Sequence, residues 1–376
     1  MPDGYKNVKV NSVNILNKFT SRSFDWVLFL AVVLVISLGL SAIYSVDLSR
    51  GQELQYFRRQ LIAAGVGFTL FFVASVIQYT FFRSYAKLFY ALSVLLLVSV
   101  VLFGVNIRGT RGWFNIAGFS FQPVEAAKIG VIFMLAYIVY HFGRRFERPL
   151  FFFGTGLTTL LIIGLVMLQP DLGSSLIIGS IWLGIMILVG TRSSYIVGII
   201  LVGVVVSVAA WFFFLQTYQK ERVLTFLNPE RDPLGQGYNS TQAIIAVGSG
   251  QVLGRGLGFG SQSQLRFLPE AQTDFIFTVI GEELGLAGIS ALLFLFSVIL
   301  YRLIRIVRRT SDDFVAVTVS GIAILLFVQF FVNAGANIGL LPITGVPLPF
   351  VSYGGSSLMM NLFLIGVAES MVEKGY

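Results

Sequence analysis

The sequence contains no cysteine, so it has neither a disulfide framework nor thiolate chemistry. It contains one histidine, His141, which excludes a multi-histidine metal site. Only 12% of its residues are charged, against about 25% in soluble globular chains. A Walker A run, a G-x-G-x-x-G turn after a strand and a G-x-S-x-G elbow are all missing, and no histidine lies near a serine that could act as a nucleophile. Phosphate-loop, dinucleotide-binding and serine-hydrolase chemistries are thereby set aside. In place of charge stand 56% hydrophobic residues and a mean hydropathy of +0.84. Together these indicate a polytopic membrane protein.

Ten apolar runs of about 20 residues, the length that crosses a bilayer as a helix, lie near 24–45, 57–78, 85–105, 123–141, 150–168, 171–190, 194–215, 275–301, 313–338 and 355–372. The runs are continuously apolar rather than alternating, which argues against a β-barrel. The expected fold is therefore all-α, one transmembrane domain over 1–376, with a polar cytoplasmic segment at 1–23. That polar start, followed by a run long enough to span, predicts no cleaved signal peptide. The chain carries a formal charge of +8. Its basic residues cluster in the N-terminal segment (Lys6, Lys9, Lys18, Arg22) and around Arg83, Arg144, Arg192 and Arg302–Arg309, while 169–171 and 339–354 hold none. This bias sets topology, placing both termini in the cytoplasm, and removes the case for nucleic acid.

One stretch organises the rest: Pro269-Glu-Ala-Gln-Thr-Asp274 runs into an apolar segment that contains Glu282 and Glu283. Acids at bilayer depth are expensive, and they usually face a cavity or a partner. Asp274 stands at the expected external mouth, where a general base could meet a hydroxyl. The plainer alternative is that Thr273 and Asp274 cap the helix beginning there. Ahead of this stretch lies a long external loop, 216–273, rich in glycine and glutamine; its middle, 240–248, suggests an interfacial helix. Segment 106–122 is a short, aromatic, basic external loop.

Other polar groups fall in apolar surroundings. Glu125 and Lys128 follow Pro123 three residues apart on one helical face, so they can pair; a purely structural ion pair is the alternative. Arg108, Arg111, Arg222 and Lys128 form a cationic set suited to phosphate oxygens, although either loop arginine alone is better explained as an anchor at lipid headgroups. Asp171, in Gln169-Pro-Asp-Leu-Gly173, reads as a helix cap or as an acid facing a cavity. Between Gly339 and Ser357, three prolines and four glycines interrupt two apolar runs. Irregular backbone at such depth lines a cavity or is buried in protein. Ser352, Tyr353, Ser356 and Ser357 there can offer donors to a polar headgroup. Small residues at Gly285, Ala287, Gly288 and Ser290 suggest a face for a single-pass partner helix. No internal repeat is evident, which weakens a transporter reading.

These motifs, taken in order, resemble the SEDS family of bacterial cell-wall polymerases: Phe121-Gln-Pro-Val-Glu-Ala-Ala-Lys128, Gln169-Pro-Asp-Leu-Gly173, Asn228-Pro-Glu-Arg-Asp-Pro-Leu-Gly235, Leu268-Pro-Glu-Ala-Gln-Thr-Asp-Phe-Ile-Phe277, Ile280-Gly-Glu-Glu-Leu-Gly285 and Leu348-Pro-Phe-Val-Ser-Tyr-Gly-Gly-Ser-Ser357. Two departures fall at and just before the first of these motifs, which extends back to Trp113: Val124 where the family usually carries Ser, and Gly112 inserted between the loop arginine and Trp113. Segments 260–269 and 345–349 look more like the rod-shape branch than the division branch. The resemblance implies a peptidoglycan glycosyltransferase acting on lipid II in the bacterial cytoplasmic membrane, with its site facing outside and a role in elongation. It implies Asp274 as the essential acid, with Glu125, Lys128 and Asp171 at polar positions of the cavity, and a class B penicillin-binding protein as partner. Arg108, Arg111, Arg222, Glu282, Ser352 and Ser356 complete the expected substrate site. No cofactor is required by the residues; a divalent cation, Mg or Mn, is a family expectation. The alternatives are a lipid II flippase or a division- or sporulation-type polymerase.

Overall fold

The computed structural model describes residues 24–49, 54–107, 110–116, 119–143, 146–213, 217–232, 235–265 and 267–372. Each of the ten apolar runs is helical: α1 (Trp26–Ser49), α2 (Gln55–Val76), α4 (Ala86–Phe103), α5 (Pro123–Phe142), α6 (Pro149–Met167), α7 (Leu172–Val189), α8 (Ser193–Phe213), α12 (Ile276–Arg309), α13 (Asp313–Asn337) and α14 (Gly355–Ser370). A short α3 (Tyr79–Ser84) joins α2 to α4. Among the described residues, eight of these helices are long and apolar enough to cross a bilayer, so the chain is a multi-pass membrane protein. The division between α6 and α7 falls at 168–171, at Pro170 and the Asp171 cap.

Helix α5 is the most buried of these spans. Pro123 opens its first turn, where a missing N–H costs nothing, and Gly143 at φ 57° closes it. It packs against α4 and α13, while α14 packs along α2, and α12 along α1 and α13. At one end of the bundle Arg83 pairs with Asp312 at 3.0 Å and Arg302 with Asp25 at 2.6 Å. The connections expected on the cytoplasmic side thus do lie together.

Segment 106–122 is more ordered than its reading as a loop implied. It folds into three antiparallel strands, β1 (Val105–Ile107), β2 (Thr110–Ile116) and β3 (Phe119–Phe121), with Val105 opposite Trp113 and Phe114 opposite Phe121. Aromatic and β-branched residues suit a pleated, half-buried surface. The extra Gly112 sits buried on β2, where a Cβ would stand 2.9 Å from Gln169 Oε1. The long segment 216–273 is also ordered: α9 (Thr217–Leu227), a 3-10 turn (Pro229–Arg231), α10 (Gln236–Ser249) and α11 (Ser261–Gln264). The expected helix over 240–248 lies inside α10, which turns Ala243 and Ala246 inward and packs on α12.

Helix α12 differs most from expectation. Its 34 residues would extend about 51 Å as a straight helix, well beyond a ~30 Å hydrocarbon core. The helix breaks at Gly285 (φ 64°, ψ −161°). The backbone groups freed by the break are satisfied by the chain between α10 and α11. Arg255 N and Gly256 N donate to Glu282 O and Glu283 O at 3.0 and 2.9 Å, and Leu286 N and Ala287 N donate to Gln251 O and Val252 O at 2.8 and 3.0 Å. Backbone left open inside a membrane needs such partners. This arrangement corrects the reading of the small residues as one partner face. Gly285 and Gly288 are buried, the first against Gly254 and Val252 and the second beneath the Leu284 and Ile280 side chains of its own helix; of the four, only Ala287 and Ser290 are exposed.

Candidate active site

Asp274 lies in a run of turns between Pro269 and α12. The N-cap position of α12 is Phe275, which makes no side-chain cap bond, so Asp274 stands one residue ahead of that position. Glu270, four residues earlier, holds φ 56°, a left-handed value that costs a non-glycine residue of order 1–3 kcal/mol and persists only where surroundings enforce it. Several contacts do so. Asp274 N donates to Glu270 O at 3.2 Å. Ser352 Oγ donates to Thr273 O at 2.7 Å, and Tyr353 N donates to Gln272 O at 2.8 Å. Asn333 and Asn337 of α13 both donate to Asp274 O, at 3.2 and 2.8 Å.

The interrupted segment 339–354 forms the facing wall. A Cβ on Gly345 (φ 74°) would come within 4.0 Å of Asp274 Oδ2. The same segment reaches the start of α7, where a Cβ on Gly173 would stand 3.0 Å from Thr344 O. Asp171 caps α7: its Oδ1 accepts from Ser174 N at 2.9 Å. Its Oδ2 accepts the Ser174 hydroxyl at 2.7 Å and Gln122 Nε2 at 3.4 Å. Asp171 is therefore a cap, the first of its two readings, and it also contacts the polar start of α5. Gln122 N in turn donates to Ser356 Oγ at 3.3 Å. One turn into α5, Lys128 Nζ and Glu125 Oε1 pair at 2.8 Å with side chains only 1% and 3% exposed.

The structure thus brings Asp274, Gly345, Asp171, Gln122, Ser356 and the Glu125–Lys128 pair to one end of the bundle. Several of the expected site residues spend their polar groups on holding backbone. Glu282 is fully buried, and its two oxygens accept Gln262 N at 2.7 Å and Ser263 N at 2.9 Å, which holds α11 down. Ser352 is committed to backbone, since its oxygen also accepts Leu348 N at 2.8 Å. Arg111 is exposed and turns back onto the end of α4, donating to Leu102 O at 3.2 Å and Gly104 O at 3.1 Å. Arg108 and the side chain of Arg222 lie outside the described residues.

Four residues escaped the motif reading. Gln60 on α2 is buried and clamps the facing wall from behind, donating to Ser352 O at 3.0 Å and accepting from Gly354 N at 3.2 Å. Asn333 and Asn337 hold Asp274 from α13. Their signal was present as two buried-face amides four apart within an apolar run. Arg59, exposed beside Gln60, is hydrogen-bonded to Tyr353. Burial raises the Tyr353 pKa above its ordinary value, and Arg59 opposes that shift.

The Cell cycle protein family model (FTSW_RODA_SPOVE) matches residues 22–374. The chain belongs to that family. It is 39% identical over 325 residues to the peptidoglycan glycosyltransferase MrdB of Escherichia coli K12, covering 85% of this chain and 86% of that one. It is 36% identical over 366 residues to a probable peptidoglycan glycosyltransferase FtsW of Geobacter metallireducens, covering 94% and 95%. Among solved structures, a chain from work on the coordination of polymerization and crosslinking by a peptidoglycan synthase complex superposes with a TM-score of 0.78 at 31% identity, covering 92% of this chain and 97% of that one. The rod shape determining protein RodA of Thermus thermophilus superposes at 0.70 with 28% identity, covering 93% and 96%.

Proposed function

We propose that this protein is a peptidoglycan glycosyltransferase that polymerises lipid II, with Asp274 as the general base. The observation that carries the assignment is the placement of Asp274: an acid at one end of the bundle, ahead of its helix, held at its backbone by Glu270, Asn333 and Asn337 and facing a glycine. Family membership supplies the substrate class, since the relatives are named for this activity.

In the reaction, the acceptor hydroxyl attacks the anomeric carbon of the donor. Its oxygen forms the new glycosidic bond as the bond to undecaprenyl pyrophosphate breaks, and the proton passes to Asp274. One base suffices for this direct displacement, which inverts the anomeric centre, because pyrophosphate leaves without protonation. Preorganised cations stabilise the charge that develops on the leaving group. The candidates are Arg108, Arg111, Arg222, Lys128 and, from its exposed place beside Tyr353, Arg59. Lys128 is almost wholly buried against Glu125, so its contribution is a field from behind the wall rather than a direct contact. Asp171 and Ser356 shape the polar wall opposite; Glu282 and Ser352 act by holding backbone in place. Among the described residues no three acids or histidines gather into a metal cage. A Mg or Mn ion would need phosphate oxygens beside one or two carboxylates, and no step above passes through it.

The orientation follows the basic bias: the Asp274 end faces outside the cytoplasmic membrane, where lipid II is presented. The partner is a class B penicillin-binding protein, in keeping with the similarity to a chain of a peptidoglycan synthase complex. The elongation role follows the similarity to MrdB and RodA. Purified protein in vesicles supplied with labelled lipid II tests the assignment. Glycan polymer is expected; translocation of lipid II without polymer, or neither, would contradict it.

A further inference from the structure

In a regular helix the carbonyl of residue i accepts from the N–H of residue i+4, which would join Asp274 O to Thr278 N in the first turn of α12. Here the Asn337 side-chain amide bridges the two groups. Its Nδ2 donates to Asp274 O at 2.8 Å, while its Oδ1 accepts Thr278 N at 3.3 Å and the Thr278 hydroxyl at 2.6 Å. The following bond, Val279 N to Phe275 O at 3.1 Å, is of the ordinary i to i+4 kind. A side chain from α13 thus behaves as an extra peptide unit spliced into the start of α12. Asn337 also donates to Asn333 O at 2.8 Å, and Asn333 Nδ2 reaches both Asp274 O at 3.2 Å and Val346 O at 2.8 Å. Thr278, Asn337 and Asn333 are 0%, 1% and 3% exposed, so no water can replace a lost partner cheaply.

We propose that Asn337, with Asn333 behind it, is a positioning residue for the Asp274 carboxylate. The spliced amide sets the distance of Asp274 from α12. Asn333 ties that distance to Val346, next to the Gly345 that faces the carboxylate. The two walls of the site are therefore registered to each other through one helix face. Neither asparagine touches substrate; both act through Asp274. The proposal rests on the assignment of Asp274 as the base.

The test is lipid II polymerisation by the full chain in vesicles, with initial rates measured as lipid II is varied, for Asn337→Ala, Asn333→Ala, Asp274→Asn and the double variant Asn337→Ala/Asp274→Asn. A displacement of about 1 Å at a reacting group costs up to about 10²-fold in rate, so Asn337→Ala is expected to lower kcat by about 10- to 100-fold while KM moves less than about 3-fold. In the Asp274→Asn background the same substitution is expected to change the residual rate by less than about 2-fold, because the positioned group is already gone. Size-exclusion and thermal unfolding profiles report folding. Should Asn337→Ala fail to fold, Asn333→Ala carries the test: it removes one of the two side-chain donors to Asp274 O and leaves the splice, and kcat is expected to fall about 10-fold at unchanged KM. A wild-type kcat for the folded variant, a loss confined to KM, or an equal loss in both backgrounds overturns the positioning role alone. A wild-type rate for Asp274→Asn overturns the base assignment and the positioning role with it.

Discussion

The Glu125–Lys128 pair makes a sharp energetic prediction. Its charges are 2.8 Å apart, and the side chains are 3% and 1% exposed in the first turns of the most buried of the spanning helices. Replacing Lys128 by Met keeps the aliphatic stem but leaves the buried Glu125 carboxylate without its cation. Breaking a buried pair in this way costs about 3–5 kcal/mol, whereas replacing both partners with neutral groups of similar size is often close to neutral. Lys128→Met and Glu125→Gln are each expected to lose most of that amount in an unfolding titration. The double variant should return to within about 1 kcal/mol of the starting protein, a coupling read directly from the cycle. Polymerisation is expected to stay low even in the restabilised double variant, because the pair stands one turn behind Gln122 and supplies charge beside the Asp171 wall. Two single variants whose losses simply add would refute the energetic argument. A double variant that polymerises normally would assign the pair to packing alone.

Three further outcomes follow from α12 and the segment strapped over it. Gly285→Ala is expected to abolish folding or cost several kcal/mol, because its φ of 64° is left-handed and its Cβ would press into Gly254 N; thermal unfolding measures it. Gly288→Leu is expected to destabilise the isolated protein rather than selectively weaken co-purification with a penicillin-binding protein, since its Cβ position already meets the Leu284 side chain; a stable variant that loses only its partner would restore the partner-face reading. Glu282→Gln removes one of the two side-chain oxygens that accept the backbone N–H groups of α11 and is expected to raise trypsin cleavage at Arg255 at a cost of about 1–3 kcal/mol, with the helical content unchanged.

Much of this architecture is legible in sequence because bilayer length is a one-dimensional constraint. A run of about 20 apolar residues declares a helix without reference to its neighbours. The Glu125–Lys128 contact was likewise readable, since a spacing of three places both on one face. What escaped depends on residues distant in sequence. The break at Gly285 needs residues 251–256 to satisfy its backbone, and nothing in the local pattern Glu282-Glu283-Leu-Gly285 announces that partner. For the same reason Glu282 read as a substrate-facing acid, although its oxygens are taken by Gln262 and Ser263 twenty residues earlier. Segment 106–122 was read from its composition, and its strands follow from cross-strand pairs such as Phe114 with Phe121 that the chain forms only on folding back. Asn333 and Asn337 lie inside a hydrophobic span, where the apolar pattern marks only helix interior, yet their amides complete the turn that carries Asp274.

The measurement that bears most directly on the account is the rate of lipid II polymerisation by Asp274→Asn in vesicles, beside the unaltered protein. The substitution keeps size and one side-chain oxygen while removing the proton acceptor, and the backbone contacts from Asn333, Asn337 and Glu270 are untouched. A folded variant slowed by about 10²- to 10⁴-fold is the predicted result. Polymer formed at the unaltered rate by a folded Asp274→Asn would contradict the account.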